Sequence, residues 1–386
     1  MASRTLRRLR RDERGMSFVF VGIGFTAFLA AATLAIDVGM FMTARSQAQN
    51  AADAGALSGT VALVFNDYNN RSASGPAVQS AVNTATRNAV IRRAPSVLPA
   101  DVTFPVSPSG QADRVRVQVF RTSARGNAVP TLMGSLFGVR TVDIGAVATA
   151  EASPANAMTC VKPFMIPDKW IEKQTPPWDP SDTFDMYDSK GKLLKNPDIY
   201  VDANDATDYT GYTTARDRGL QLTLRAGTGG NINPSFYYSW KMPGDIGGNF
   251  YRDNIANCNQ AMMRFGDLII QEPGDKSGPT VQGIQDLVAK DPNAYWDTSC
   301  NCVKGSAYST SPRVFPIPLY DPKYYAQGKA NGRVADFKIA NFLGFFAEPP
   351  VGNSIPGRVT QIIGVVDTTA GPAPAAAFPV AIRLVQ

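Results

Sequence analysis

The chain has 386 residues, of which 44% are hydrophobic and 18% are charged, an ordinary balance for folded structure. It contains no histidine, which excludes catalytic triads and dyads that need an imidazole base. The formal charge of +6 is concentrated at the start, where six arginines and two acidic residues give +4 within the first fourteen positions. The rest of the chain therefore lacks the basic surface typical of nucleic-acid binding, and we expect no nucleic-acid partner.

An uncharged apolar run occupies residues 16–36 and is long enough to cross a bilayer as one helix. Gly22, Gly24 and Ala27 lie inside this run, so they lack the preceding strand that a dinucleotide-binding loop requires. The arginines before the run predict a cytoplasmic N-terminus and an exported body. The run is too long for a cleaved secretory signal and continues, without proline, to residue 65. We expect a retained signal anchor that shares one long helix with the exported part.

Small residues recur at four-residue steps along this helix, a spacing that lets helix backbones approach closely. The pattern indicates helix packing without identifying the partner. One row consists of Ala27, Ala31, Ala35 and Gly39, and a neighbouring row consists of Ala44, Ala48, Ala52 and Ala56.

Asp37 follows the apolar run directly and is the polar residue predicted to lie at the outer membrane boundary. A carboxylate at that depth either reaches water or pairs with a cation from a partner. We expect the hydrated state.

The remaining chain predicts an α+β fold in which a small α/β pilin-like domain precedes a β-rich, disulfide-stapled domain. Residues 76–151 combine helical stretches with alternating strands, in which Val115, Val117 and Val119 face away from Arg114 and Arg116. After residue 151 the composition changes to short strand signals separated by Pro, Gly and Asp. The predicted divisions are a cytoplasmic basic tail (1–15), a transmembrane helix (16–36), a helix with a small α/β domain (37–151) and a β-rich periplasmic domain (152–386).

The four cysteines all lie on the predicted exported side, where an even number indicates disulfides. A bond between Cys300 and Cys302 would close a very small ring, so we expect Cys160 and Cys258 each to bond one of these two. A zinc site is the alternative, but the one-residue spacing and the absence of histidine disfavour it.

Motifs for small-molecule chemistry are absent from the sequence, so we predict no enzyme activity, no cofactor and no small-molecule substrate. Two stretches suggest binding instead. An acidic loop with Asp202, Asn204, Asp205 and Asp208 offers oxygen ligands for calcium, although solvated turns are the commoner use. An aromatic cluster with Tyr237, Tyr238 and Trp240 would suit a glycan or protein surface, although core packing is the commoner use.

The first sixty residues resemble the N-terminal region of the TadE/TadG-like Flp pilus-assembly proteins. The resemblance consists of a Glu-Arg-Gly start, the apolar span, an Ala-Ile-Asp-x-Gly step and an Asn-Ala-Ala-Asp-Ala run. These correspond to Glu13, Arg14, Gly15, Ala35, Ile36, Asp37, Gly39, Asn50, Ala51, Ala52, Asp53 and Ala54.

This resemblance implies a single-pass protein of the bacterial inner membrane with its body in the periplasm. Its role would be that of a minor pilin-like structural or assembly component of a tight-adherence pilus, with pilin-like or Tad assembly proteins as partners. Two departures matter: Phe20 stands where pilin precursors carry a glutamate after the cleavage glycine, Gly15, and no von Willebrand metal motif is present. The alternative is a tethered adhesion module that recognises glycan or calcium through its C-terminal β domain.

Overall fold

One uninterrupted helix begins the described part of the chain. The computed structural model describes residues 13–66, 70–107, 113–205, 207–227, 230–308, 310–330 and 336–385, so residues 1–12 of the predicted cytoplasmic tail lie outside the described residues. The helix runs Glu13–Phe65, or ~80 Å at ~1.5 Å per residue. The bilayer interior is only about 30 Å thick. The helix is therefore much longer than a membrane span requires, and the prediction that the apolar run continues as one helix to residue 65 is confirmed.

The described residues form six α-helices and seventeen β-strands. The helices are α1 (Glu13–Phe65), α2 (Pro76–Arg87), α3 (Thr214–Asp217), α4 (Gly248–Ala256), α5 (Ser277–Lys290) and α6 (Pro322–Ala330). The strands are β1 (Val102–Thr103), β2 (Asp113–Arg121), β3 (Val129–Pro130), β4 (Thr141–Val142), β5 (Ile144–Pro154), β6 (Ala157–Met158), β7 (Phe164–Pro167), β8 (Gln221–Ala226), β9 (Phe236–Ser239), β10 (Met263–Arg264), β11 (Leu268–Ile270), β12 (Tyr295–Asp297), β13 (Cys302–Lys304), β14 (Val314–Tyr320), β15 (Asp336–Ala347), β16 (Ile355–Thr360) and β17 (Val380–Val385).

The first unit is an antiparallel sheet in the order β1-β2-β5-β17, packed against α1 and α2. The valines of β2 are buried as predicted, because alternate side chains of a strand point to the same face. Gly59 permits the close approach of α1, since a Cβ atom there would lie 2.9 Å from Val115 Cγ1 and 3.0 Å from Ala81 Cβ. The second alanine row of α1 belongs to this core, so its partner is the chain's own body: Ala44, Ala48, Ala52 and Ala56.

The last strand also belongs to the first unit, although it lies within the predicted domain 152–386. Strand β17 pairs with β5, from Val380 opposite Pro154 to Val385 opposite Thr149. Glu151 of β5 forms ion pairs of 2.8 Å with both Arg114 of β2 and Arg383 of β17. Burial opposes its ionisation, but hydrogen bonds from the two arginines hold the pKa of Glu151 below its ordinary value. The edge of β5 therefore takes the C-terminal strand as its partner, across the predicted division at residue 151.

The β-rich unit contains a seven-stranded mixed sheet in the order β11-β15-β14-β7-β9-β8-β16. Strand β15 pairs with both β14 and β16, so six of these strands close into a ring with β11 attached outside. The β-rich remainder predicted from the sequence is confirmed. Its core includes Phe164, Phe315 and Phe345, and the helices α4 and α5 pack beside each other at its side.

The aromatic cluster proposed as a binding surface is part of this core. Tyr237, Tyr238 and Trp240 are all buried, and the Tyr237 ring lies 5.4 Å from that of Phe164. The possibility that these three residues contact glycans or proteins is therefore wrong, because the closed sheet turns them inward.

The disulfide pairing differs from the prediction. Cys160 is bonded to Cys258, and Cys300 is bonded to Cys302. The backbone N–H of Cys160 also donates to the Asn259 carbonyl at 2.9 Å, which shows that the two segments are direct neighbours. Asn301 adopts a left-handed conformation with φ of 48°, and this turn places the Cα atoms of Cys300 and Cys302 5.2 Å apart. The small ring is accessible because asparagine tolerates this conformation better than most residues.

Arg218 connects the end of α1 to the β-rich unit. Its guanidinium group donates to the main-chain carbonyls of Val64 at 2.9 Å, Phe65 at 2.8 Å and Asn66 at 2.7 Å. The last carbonyls of a helix have no partner inside the helix, and a cation there is electrostatically favourable. The contact therefore ties the far end of α1 to the second unit.

Candidate functional site

The first part of α1 carries an exposed apolar surface. It is long and apolar enough to span a membrane, and none of its most apolar stretch is buried against the chain. Large side chains such as Phe18, Phe28 and Leu34 are exposed along it. A globular body surrounded by water does not leave such a surface uncovered, which agrees with a membrane anchor.

The predicted packing row lies on this exposed part. Ala27, Ala31, Ala35 and Gly39 are all exposed, and nothing lies within 4 Å of the position that a Gly39 Cβ atom would occupy. Since successive helix residues are about 100° apart, Ala35 and Gly39 point about 160° away from Asp37. Asp37 faces the folded body, so Ala35 and Gly39 face away from it, while Ala27 and Ala31 lie farther along the helix where no described residue covers the apolar stretch. The structure leaves this face free for another helix, and its use in packing stays a prediction.

Asp37 joins α1 to a loop that is distant in sequence. Its Oδ1 atom accepts the backbone N–H of Leu132 at 2.9 Å, and its Oδ2 atom accepts those of Met133 at 3.1 Å and Gly134 at 2.6 Å. The side chain is only 5% exposed. The expectation of a hydrated carboxylate is therefore wrong, because three main-chain donors of the same chain replace water.

The loop that binds Asp37, residues 131–140, is called the junction loop below. It connects β3 to β4, and Thr131 closes its base by donating from Oγ1 to the Val139 carbonyl at 2.6 Å. Its middle is a 3₁₀ turn, Gly134–Phe137, that ends at Gly138 with φ of 84°. The Asp37 carboxylate lies at the N-terminal end of this turn, where free N–H groups attract a negative charge.

A second anchoring point of the first unit lies at the end of β2 and holds two other loops. Arg121, at the end of β2, is fully buried and donates to the carbonyls of Asn127 at 2.5 Å and of Val90. Burial, and then the nearby charge of Arg93, lowers the pKa of the Arg121 guanidinium. These contacts hold the loops at this end of the first unit in fixed positions relative to the sheet.

Asp168, in the β-rich unit, is a fully buried carboxylate that can be compared with a catalytic acid. Asp168 accepts hydrogen bonds from the Tyr209 hydroxyl at 2.8 Å, the Tyr200 hydroxyl at 3.0 Å and the Tyr212 backbone N–H at 3.1 Å. Burial raises the pKa of Asp168 to about 6, although these hydrogen bonds favour its charged form. Because both oxygen atoms are occupied by the chain itself, Asp168 fastens loops together and presents no free atom to a substrate.

In the acidic loop proposed for calcium, aspartate side chains accept hydrogen bonds from backbone N–H groups of the same loop. Asp202 accepts the Asn204 backbone N–H at 3.0 Å, and Asp205 accepts that of Thr207 at 3.0 Å. Within the part of the chain that the structure describes, no three acidic, cysteine or histidine side chains are grouped to hold a metal ion. The described geometry is that of solvated turns, the commoner use of such residues.

Residues 15–65 match the Tad family model, Flp pilus-assembly TadE/G-like. The matched segment ends with α1 at residue 65, and it contains both Asp37 and the exposed small-residue row. No curated protein and no solved structure matches the chain. The family resemblance stated for the N-terminal region is confirmed.

Proposed function

Proceeding from the match of residues 15–65 to the Flp pilus-assembly family, we propose that the chain is a structural component of that assembly. In this proposal α1 holds the protein in the bacterial inner membrane and its body lies in the periplasm. The observation that carries the proposal is that the family segment coincides with a helix whose apolar part has no partner within the described chain. Its role is mechanical positioning, and no catalytic step is assigned to it.

Two features support the periplasmic placement of the body. Arginines are concentrated on the N-terminal side of the apolar run, as expected for the cytoplasmic flank of a membrane helix. Both disulfides lie beyond the other end of that run, and disulfides persist in the oxidising periplasm.

The partner in this proposal is the apolar helix of a pilin-like or Tad protein, which packs on the row of Ala27, Ala31, Ala35 and Gly39. Small residues allow two helices to approach closely within lipid, where hydrophobic burial supplies no driving force. All four residues of the row are exposed, so a partner helix reaches it without displacing any described contact.

The double variant Ala31→Leu, Ala35→Leu tests this partner. Added bulk at a close helix contact costs about 1–3 kcal/mol, so we expect roughly a tenfold loss of assembled pili. The yield of sheared pili is measured at equal membrane levels of the protein. Thr26→Leu is the control, since it adds bulk to the same apolar segment on another face and should leave the yield unchanged. Equal yields from the double variant and the wild type would overturn the packing role.

The residue at which the mature protein begins distinguishes a permanent membrane anchor from a filament subunit. We expect an intact N-terminus confined to the membrane fraction, because Phe20 replaces the glutamate of processed pilin precursors. Mass spectrometry of membrane and sheared-pilus fractions measures this directly. A start at Met16 in the sheared fraction would instead identify a minor pilin.

The adhesive alternative required exposed aromatic residues, but Tyr237, Tyr238 and Trp240 are buried in the core. No observation on the described residues favours calcium at the acidic loop. Deleting the chain from residue 155 onward would not distinguish pilus assembly from adhesion, because the deletion also removes β17 from the sheet of the first unit. Point variants are therefore the appropriate test.

A further inference from the structure

We propose that the junction loop is a lipid-binding surface, which rests on the leaflet that α1 crosses and inserts Leu132, Phe137 and Val139 into its apolar edge. This proposal depends on α1 crossing a membrane and does not depend on any role in pilus assembly.

The junction loop is attached to α1 at the level where the uncharged run ends. Asp37 holds the backbone of Leu132, Met133 and Gly134 directly against the helix. Asp37 is the first charged residue after the uncharged run 16–36, and α1 continues with apolar residues to Met42. A span of about 20 residues that begins near Ser17 ends at this level. The loop is therefore fixed where hydrocarbon meets the headgroups.

The junction loop exposes an apolar surface. Leu132 is 61% exposed, Phe137 is 67% exposed and Val139 is 51% exposed. Three large apolar side chains within eight residues form an uncovered patch beside the exposed apolar surface of α1. Such a patch marks a contact surface, and its continuity with the membrane segment identifies the lipid leaflet as what covers it.

Two exposed arginines lie close to the junction loop. Arg140 is exposed at the end of the junction loop, and Arg45 is exposed on α1 two turns beyond Asp37. The acidic residues at this end already have donors: Asp101 pairs with Arg125 at 2.8 Å, and Asp143 accepts the Ser123 backbone N–H at 2.7 Å. The two exposed arginines are thus available to lipid phosphates, which arginine binds well.

The loop is also held rigidly enough to act as a second point of attachment. Asp37 fixes its N-terminal side, and Thr131 closes its base onto Val139. With α1 and the loop both in the leaflet, the first unit would keep one orientation relative to the membrane. A single helix alone would let it tilt.

Depth-dependent quenching in vesicles tests the proposal on the full-length, oxidised protein. Phe137→Cys carries a fluorescent label, and the vesicles contain lipids with a nitroxide near the headgroup. The controls are Phe28→Cys, within the span, and Val351→Cys, an equally exposed apolar position in the β-rich unit. We expect the label at Phe137 to be quenched by the shallow nitroxide and the label at Val351 to remain unquenched.

Leu132→Cys and Val139→Cys are labelled separately, so that disturbance at one position does not decide the result. If labels at all three positions behave like the label at Val351 in vesicles that contain only this protein, lipid is not the occupant and the proposal fails. The arginines are tested by comparing Arg140→Gln with wild type in vesicles with and without phosphatidylglycerol. We expect quenching at Phe137 to rise with the anionic lipid in wild type and to rise less in Arg140→Gln; an equal rise in both would overturn the role of Arg140.

Discussion

Replacing Cys160 and Cys258 together by serine should lower the free energy of unfolding of the β-rich unit by about 4 kcal/mol. The bond joins residues that are 98 positions apart, so its removal restores a large loop entropy to the unfolded chain. All four tryptophans lie between residues 170 and 296, and their fluorescence during denaturant unfolding reports on this unit.

The matched control is the Cys300→Ser, Cys302→Ser double variant. This bond spans only two positions, so the same loop argument predicts a loss of about 1–2 kcal/mol. Equal losses in the two double variants would contradict the loop-length explanation. Peptide mapping under non-reducing conditions checks the pairing itself, since a peptide linking Cys160 to Cys300 or Cys302 would support the pairing expected from sequence.

Replacing Asp37 by alanine should release the junction loop from α1. Three partly buried N–H groups would lose a charged acceptor, which costs about 3 kcal/mol in local stability. Hydrogen exchange at Leu132, Met133 and Gly134 should accelerate about 100-fold, because exchange follows the free energy of local opening. Asn at position 37 retains one acceptor oxygen, so Asp37→Asn should show a smaller acceleration.

Asp53→Ala serves as the control for this experiment. Asp53 lies on the same helix, and its carboxylate accepts a hydrogen bond from the Gln49 side chain one turn away. Its removal should leave exchange in the junction loop at the wild-type rate. Unchanged exchange in Asp37→Ala would mean that the loop is held by other contacts, and the attachment described for Asp37 would have to be abandoned.

Local patterns in the chain were sufficient for several elements. The absence of charge over residues 16–36 predicts the apolar segment, and the absence of proline to residue 65 predicts its continuation as one helix. The alternation of Val115, Val117 and Val119 predicts the buried face of β2, since side-chain direction in a strand has a period of two. Each of these properties depends on neighbours within a few residues.

Such local patterns do not predict contacts between residues that are distant in sequence. Asp37 meets its donors about 95 positions later, β17 joins β5 across more than 200 residues, and the partner of Cys160 is 98 residues away. Nothing near Asp37 in sequence distinguishes a hydrated carboxylate from one that caps a remote turn. Similarly, the turn at Asn301 that brings Cys300 and Cys302 together depends on a single backbone conformation.

The sequence by itself determined the long apolar helix, the β-rich remainder and the family resemblance of residues 15–65, because composition, short-range periodicity and local motifs encode them. Only the tertiary structure decided which alanine row the body buries, which face of α1 stays free and where the junction loop is held. Those outcomes follow from chain segments that meet in space, and their free energies depend on the geometry of both sides of each contact.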